Sequence, residues 1–153
     1  MNSTDNFILD HSPEAICYGE VCFNEKGEVI DFIYDYINPQ YAAMTGIKAG
    51  RARGQNMKRL FRTNDCLKTF KTLQRFVDTG EDTCELYLDT FRKHFKVHYN
   101  RMGEKKVCAW INDVTSDKLM IQTMDEILNG KDIDDCNSRE RFLSVVMWYS
   151  KLS

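Results

Sequence analysis

The stretch KVCAWINDVTSDK, from Lys106 to Lys118, changes character in its middle. Its first half, VCAWI, has the apolar and aromatic composition of a β-strand. Asn112 and Asp113 end that strand, and a hydroxyl of Thr115 or Ser116 can cap the helix that KLMIQTMDEIL predicts. The sequence therefore predicts a strand that leads almost directly into a helix.

Upstream of this junction, the strand patterns fall into two blocks. AICYGEVCF (15–23) and EVIDFIYDYI (28–37) are joined by the turn NEKG and predict an antiparallel hairpin. CELYLD (84–89), RKHFKVHYN (92–100) and KVCAWIN (106–112) predict three further strands. Because helical segments separate the two blocks, the order predicts an α+β fold, in which an antiparallel sheet carries helices on one face.

The helical segments between and around the strands are short. We predict a first helix over about 3–12, a second that Asn38 caps and Gly46 ends, one turn at 57–61 and a longer helix over 64–78. KAGRARGQN reads as a loop. Beyond the junction, Leu119–Leu128 forms an amphipathic pattern, and an apolar pattern over 138–152 predicts a last helix.

Composition restricts the classes of function. The chain has 153 residues, 42% of them hydrophobic, and a net charge of −2, so that no overall field favours nucleic acid or an anionic membrane. The sequence contains no run of 18 apolar residues, so it predicts no membrane span. None of the six cysteines forms a CxxC pair or stands near a histidine at zinc-ligand spacing. These features indicate a reduced, cytoplasmic protein without a metal site.

Three strings give the chain a family resemblance. They are ILDHSPEAICYGEVCFNEKGEVIDFIYDYINPQYAAMTG (8–46), FKTLQRFVDTGEDTCELYLD (70–89) and HFKVHYNRMGEKKVCAWINDVTSDK (94–118). In their order and spacing they resemble a PAS domain, a sensory module of bacterial signal-transduction proteins. The last string ends in Asp113-Val114-Thr115, which is similar to the Asp-(Ile/Val)-Thr signature of that family. The match spans more than two thirds of the chain and excludes its last two helices.

The resemblance implies a fold, a division of the chain and a function. The sheet would have the strand order 2-1-5-4-3, residues 1–118 would form the PAS domain, and residues 119–153 would be a helical extension for signalling or dimerisation. Such modules bind a small ligand or a partner and relay a conformational change through the following helix. They are often homodimers and usually lie upstream of a histidine kinase of a two-component system, a diguanylate cyclase or a transcription-factor domain.

The candidate ligand-binding residues are apolar or aromatic side chains that would line the pocket of such a domain: Tyr41, Met44, Met57, Phe61, Phe70, Leu73, Tyr87, Phe95, Val97 and Trp110. Tyr41 and Trp110 also carry a polar atom that needs a hydrogen-bond partner when it is buried. The candidate relay junction is Asp113, Val114 and Thr115. Such residues form either a packed core or a pocket for an unknown small organic ligand, and no cofactor is evident from the sequence.

Two cofactors of the family are disfavoured by the residues present. Photoreceptors of the light-oxygen-voltage class carry Gly-x-Asn-Cys, whereas this chain has Met57 after Gly54-Gln55-Asn56, and Met has no thiol to form a flavin adduct. The glutamine that reads the flavin edge would fall at Ile111. Haem-binding members hold iron with a histidine of the long helix, and the predicted helix 64–78 has none.

Two further readings concern the class of protein. The acidic residues on the predicted strands, Asp31, Asp35, Glu85 and Asp89, are typical of the outward positions of a sheet rather than of a catalytic pair, so we expect no enzyme. The alternatives to a ligand sensor are a homodimerisation scaffold with a filled core and the N-terminal fragment of a larger histidine kinase or diguanylate cyclase.

Overall fold

Five antiparallel strands form one sheet in the computed structural model, which describes residues 3–128, with side chains from Phe7 onwards. The strands are β1 (Ala15–Phe23), β2 (Val29–Ile37), β3 (Thr83–Leu88), β4 (Lys93–Arg101) and β5 (Lys106–Asp113). Their order across the sheet is β2-β1-β5-β4-β3, with every neighbouring pair antiparallel. The predicted fold class and strand order are confirmed.

Six helices accompany the sheet in the described chain. They are α1 (Ser3–Asp10), α2 (Pro39–Thr45), α3 (Ala49–Ala52), α4 (Met57–Leu60), α5 (Thr63–Thr79) and α6 (Thr115–Leu128). Each predicted helix of the described chain is found, with ends within a few residues of the predicted ones. The helix α3 is additional, because its segment is predicted to be a loop. Its residues Ala49–Ala52 include no large apolar side chain, so no apolar pattern indicates this turn. The predicted helix 138–152 lies outside the described residues.

Two glycines end helices as the sequence predicts. Gly46 follows α2 and Gly80 follows α5, and each has a φ of 76° with its N–H bonded to the carbonyl four residues earlier. That left-handed conformation is costly for a residue with a Cβ, so glycine is favoured at both helix ends.

A buried asparagine ties the start of the fold together. Asn38 has no exposed surface, and its Oδ1 accepts the N–H groups of Ile16 and Tyr41, both at 2.9 Å. Its Nδ2 donates to the carbonyls of Leu9 at 3.0 Å and Glu14 at 2.8 Å. One side chain therefore links the end of α1, the start of β1 and the first turn of α2.

The segment 54–57 is held against the edge of the sheet. Gly54 N–H donates to the carbonyl of Tyr34 at 2.7 Å, and Tyr34 N–H donates to the carbonyl of Gln55 at 3.0 Å. Asp31 accepts the Nδ2 of Asn56 at 2.8 Å and the N–H of Lys58 at 3.3 Å. Asp31 was predicted to be an outward, solvated position. The structure buries it instead, because its carboxylate holds the start of α4 onto β2.

The chain divides into two compact units between Asp113 and Val114, inside the predicted relay junction. The first unit contains the sheet and α1 to α5, and the described part of the second is Val114–Leu128, which includes α6. This division lies upstream of residue 118, and the domain bounds 1–118 and 119–153 stay a prediction. Within residues 3–128, no helix has the length and apolar content that crossing a membrane requires.

Candidate ligand cavity

A cavity of about 70 Å³ lies between the short helices and one face of the sheet. Alternate residues of β4 and β5 face it, because successive side chains of a strand point to opposite faces. Its walls are almost entirely apolar or aromatic, and they consist of Cys17, Phe32, Tyr34, Tyr41, Met44, Thr45, Met57, Phe61, Asp65, Thr69, Leu73, Leu86, Leu88, Phe91, Phe95, Val97, Tyr99, Val107, Ala109 and Ile111.

Two tyrosines on this wall share a hydrogen bond. The hydroxyl oxygens of Tyr34 on β2 and Tyr41 on α2 are 2.7 Å apart, and both side chains are buried. The thiol of Cys17 lies within hydrogen-bonding reach of the Tyr41 hydroxyl. Burial raises the pKa of both phenols and of this thiol well above the usual range. All three groups therefore stay protonated, and the two phenols are neutral hydrogen-bond donors.

A second polar cluster occupies the side of the cavity formed by α5. The Tyr99 hydroxyl is 2.6 Å from Thr72 Oγ1, and Thr72 donates its own hydrogen to the carbonyl of Thr69 at 2.7 Å. A threonine hydroxyl has only one hydrogen, so Tyr99 is the donor to Thr72. Burial also raises the pKa of Tyr99. The polar atoms on this side are therefore bonded within the protein.

Most of the sequence-predicted pocket residues line this cavity. Tyr41 and Met44 come from α2, Met57 and Phe61 from α4 and the residue after it, and Leu73 from α5, while Phe95 and Val97 come from β4. Tyr41 also has the hydrogen-bond partner that its burial requires. Their role in binding a ligand remains a prediction.

Three candidates do not line the cavity. Phe70 is buried in the core on α5 but is not among the lining residues. Tyr87 and Trp110 point to the opposite face of the sheet, where they are 37% and 36% exposed. There Tyr87 lies next to His94, and Trp110 stacks on His98 with ring centroids 6.1 Å apart. The Trp110 ring therefore offers no polar contact inside the cavity.

The alternation of side chains along a strand explains why Tyr87 and Trp110 do not line the cavity. In β3, Tyr87 alternates with Leu86 and Leu88 and shares its face with Glu85, so its outward position was readable from the sequence. In β5, apolar residues occur on both faces, and the period alone does not say whether Ala109 or Trp110 faces the helices. Tyr34 was missed because its partner, Tyr41, meets it only after folding.

The cavity is lined by the two positions at which the sequence differs from flavin-binding members of the family that it resembles. Met57 and Ile111 both line it, and they supply neither a thiol nor an amide there. The histidines of the described chain, His11, His94 and His98, are not among its lining residues. Within residues 3–128, no three His, Cys, Asp or Glu side chains come together as a metal site.

The predicted relay junction lies at the end of the last strand. Asp113 pairs with Phe95 across β4 and β5, and its Oδ2 is 3.4 Å from Lys93 Nζ. Both side chains are substantially exposed, so this ion pair contributes at most about 1 kcal/mol to stability. Helix α6 begins at Thr115, and the N–H of Lys118 donates to the carbonyl of Val114 in its first turn.

A five-stranded antiparallel sheet whose helices enclose a cavity defines a class of small α+β domains, and solved structures with this architecture give it a name. The chain is similar to a domain of an HTR-like protein from Haloarcula marismortui, with 15% identity over 68% of this chain and 100% of the other, at a TM-score of 0.51. It is also similar to the PAS domain of the Cronobacter turicensis quorum-sensing receptor RpfR in complex with C12:0. The identity is 16% over 70% of this chain and 99% of the other, and the TM-score is 0.52.

A third similar structure is an RNA-binding light-oxygen-voltage receptor, with 15% identity over 82% of this chain and 36% of the receptor, at a TM-score of 0.54. No protein-family model matches the chain, and no curated protein matches it. The chain has the PAS fold, which confirms the resemblance seen in its sequence at the level of the fold.

Proposed function

We propose that this chain is a sensory module that binds a small apolar ligand in its cavity and relays the change through α6. The observation that carries this proposal is an apolar cavity between the helices and the sheet of a PAS fold. Concave apolar sites with a few polar groups are typical of ligand binding. The RpfR PAS domain, which has the same fold, is in complex with C12:0, and this supports the presence of a ligand site in the present chain.

The size of the cavity restricts the ligand. Its volume of about 70 Å³ exceeds the roughly 10–15 Å³ that one water requires and is below the roughly 150 Å³ of an engineered cavity that binds benzene. Met44 and Met57 are on its wall, and methionine side chains adapt readily to a changed cavity shape. A small ligand is therefore expected to enlarge the site by moving these flexible side chains.

The proposed relay starts on β5 and leaves through the junction. Val107, Ala109 and Ile111 of β5 line the cavity, and the same strand ends at Asp113, directly before Val114 and α6. A ligand that binds one arrangement of β5 more tightly than another shifts the population of both arrangements. The output partner, a histidine kinase or a diguanylate cyclase, stays a prediction from the resemblance.

Filling the cavity tests the ligand proposal. Ala109→Leu adds three carbons at a buried position on the cavity wall, and we expect it to abolish ligand binding while costing about 1–3 kcal/mol of stability. The measurement is native mass spectrometry and organic extraction of freshly purified protein, with hydrogen exchange of α6 as the relay readout. Trp110→Phe, next along β5 on the opposite face, is the matched control and should keep the ligand. Equal ligand occupancy in both variants would contradict the proposal.

A homodimerisation scaffold is the second candidate, and exposed apolar side chains favour it. Phe7 and Ile8 of α1 and Leu119, Ile121 and Leu128 of α6 are largely exposed in the single chain. Such residues often become buried against another chain. We expect a dimer in size-exclusion chromatography with multi-angle light scattering. A monomer at high micromolar concentration would argue against dimerisation, whereas a dimer without any bound ligand would favour the scaffold over the sensor.

A further inference from the structure

The described part of the cavity wall carries no positively charged side chain. Among the residues that the structure describes, none that lines the cavity is Lys, Arg or His. The acidic residue on the wall is Asp65, whose Oδ1 accepts the N–H of Asp89 at 3.1 Å and whose Oδ2 accepts the N–H of Thr90 at 3.4 Å. The described wall therefore offers an anionic ligand no opposite charge, and Asp65 would repel it.

Nearly all hydroxyl hydrogens on the wall are already donated. Thr45 donates to the carbonyl of Tyr41 at 2.9 Å, Thr69 donates to the carbonyl of Asp65 at 2.9 Å, and Tyr99 donates to Thr72. These hydroxyls have no second hydrogen to give to a ligand. The two threonine bonds lie within α2 and α5, and the bond of Tyr99 joins β4 to α5, so none of these hydrogens is left for a ligand.

The tyrosine pair is the exception. Tyr34 and Tyr41 together have two hydroxyl hydrogens, and their mutual bond uses one of them. The other hydrogen has no oxygen acceptor in the described structure, and the Cys17 thiol, which lies within hydrogen-bonding reach of Tyr41, is a weak acceptor. Because burial keeps both phenols protonated, this donor is present throughout the physiological pH range.

We infer that the cavity selects a neutral, largely apolar ligand with one oxygen acceptor, such as a ketone or an ester, and rejects the matching carboxylate. The inference rests on the proposed function and names the ligand class of the same site. The acceptor oxygen takes the spare hydrogen of the Tyr34–Tyr41 pair, and the carbon chain fills the apolar remainder. A buried carboxylate could accept the same hydrogen, but it would lose its hydration without gaining an opposite charge.

Three probes with the same number and arrangement of non-hydrogen atoms test this selection. 2-Heptanone has the acceptor, 2-methyl-1-heptene replaces its oxygen by CH₂, and hexanoic acid is ionised near neutral pH. Titrations of the full chain, followed by NMR of the methionine methyl groups, should give an affinity about fivefold higher for the ketone than for the alkene, the range of one net hydrogen bond. The acid should bind at least tenfold more weakly than the ketone at about pH 8.

Paired variants assign the donor. The double variant Tyr34→Phe/Tyr41→Phe removes both hydroxyls of one hydrogen bond, a change that is nearly neutral for folding when the shape is kept. We expect its preference for the ketone over the alkene to fall to about one. Tyr99→Phe, which removes a hydroxyl that already donates to Thr72, is the control and should keep the preference.

The outcomes separate this inference from the proposed function. Binding of the acid as tightly as the ketone at about pH 8, or a ketone preference that survives in the double variant, would overturn the inference and leave a ligand-binding module. Binding of none of the three probes would overturn the ligand-binding proposal itself, and the inference with it.

Discussion

Replacing Asn38 by alanine is expected to lower the free energy of unfolding by about 3–5 kcal/mol. The variant loses four side-chain hydrogen bonds and leaves the N–H groups of Ile16 and Tyr41 buried without this acceptor. A buried donor left without a partner costs about 1–3 kcal/mol, so the two N–H groups account for most of the expected loss. Since domains have only about 5–15 kcal/mol of stability, the loss is large. The measurement is urea unfolding followed by tryptophan fluorescence and circular dichroism.

Asn24 provides the matched control for this prediction. Its Oδ1 also accepts two backbone N–H groups, from Lys26 at 2.9 Å and Glu28 at 3.0 Å, but the residue is exposed in the turn between β1 and β2. Water replaces the lost acceptor there, so Asn24→Ala should cost no more than about 1 kcal/mol. Equal losses at the two positions would mean that water reaches the site of Asn38, and burial would then not explain the effect.

Replacing Gly19 by alanine is expected to cost about 2–4 kcal/mol, for a steric reason. A Cβ at this position would lie 2.1 Å from the carbonyl oxygen of Ile33 and 2.8 Å from Cζ of Phe32. The register of β1 and β2 shifts between Tyr18 and Gly19, and the backbone of β2 comes close to the glycine there. The methyl group must therefore displace backbone as well as a buried ring, which exceeds ordinary overpacking. Urea unfolding gives the magnitude.

The same substitution at Gly50 serves as the control. Gly50 lies within α3, and a Cβ there would have nothing within 4 Å. Alanine is the better helix former by up to about 1 kcal/mol, so Gly50→Ala should be neutral or stabilising. A neutral result for Gly19→Ala would show that β2 moves aside without cost. In that case Phe32, which lines the cavity, should shift, and the NMR signals of the cavity residues should change.

The sequence by itself determined most of the fold. The strands needed only their period of two, the helices needed their caps at Asn38, Gly46 and Gly80, and the segregated order of elements predicted the α+β class. These signals are local, because they depend on neighbouring residues and on the backbone geometry of each element. The strand order came from the resemblance, and the structure has the same order.

The cavity was only partly readable from the sequence. Seven of the candidates, including Leu73, line it, since bulky apolar residues on core-facing positions are natural candidates for a pocket wall. Trp110 was misplaced because β5 is apolar on both faces and its composition does not indicate which face meets the helices. The burial of Asp31 was not predicted, because Asn56 and Lys58 meet its carboxylate only in the folded chain.

Tertiary structure alone decided the polar chemistry of the site. Tyr34 and Tyr41 are seven positions apart on different elements, and their hydroxyls come within 2.7 Å only when α2 packs against the sheet. The Tyr99–Thr72 bond and the bound carboxylate of Asp65 likewise depend on which groups meet across elements. Local patterns determine which elements form, whereas the spare donor of the tyrosine pair depends on a contact between two different elements, which the pattern of neither element encodes.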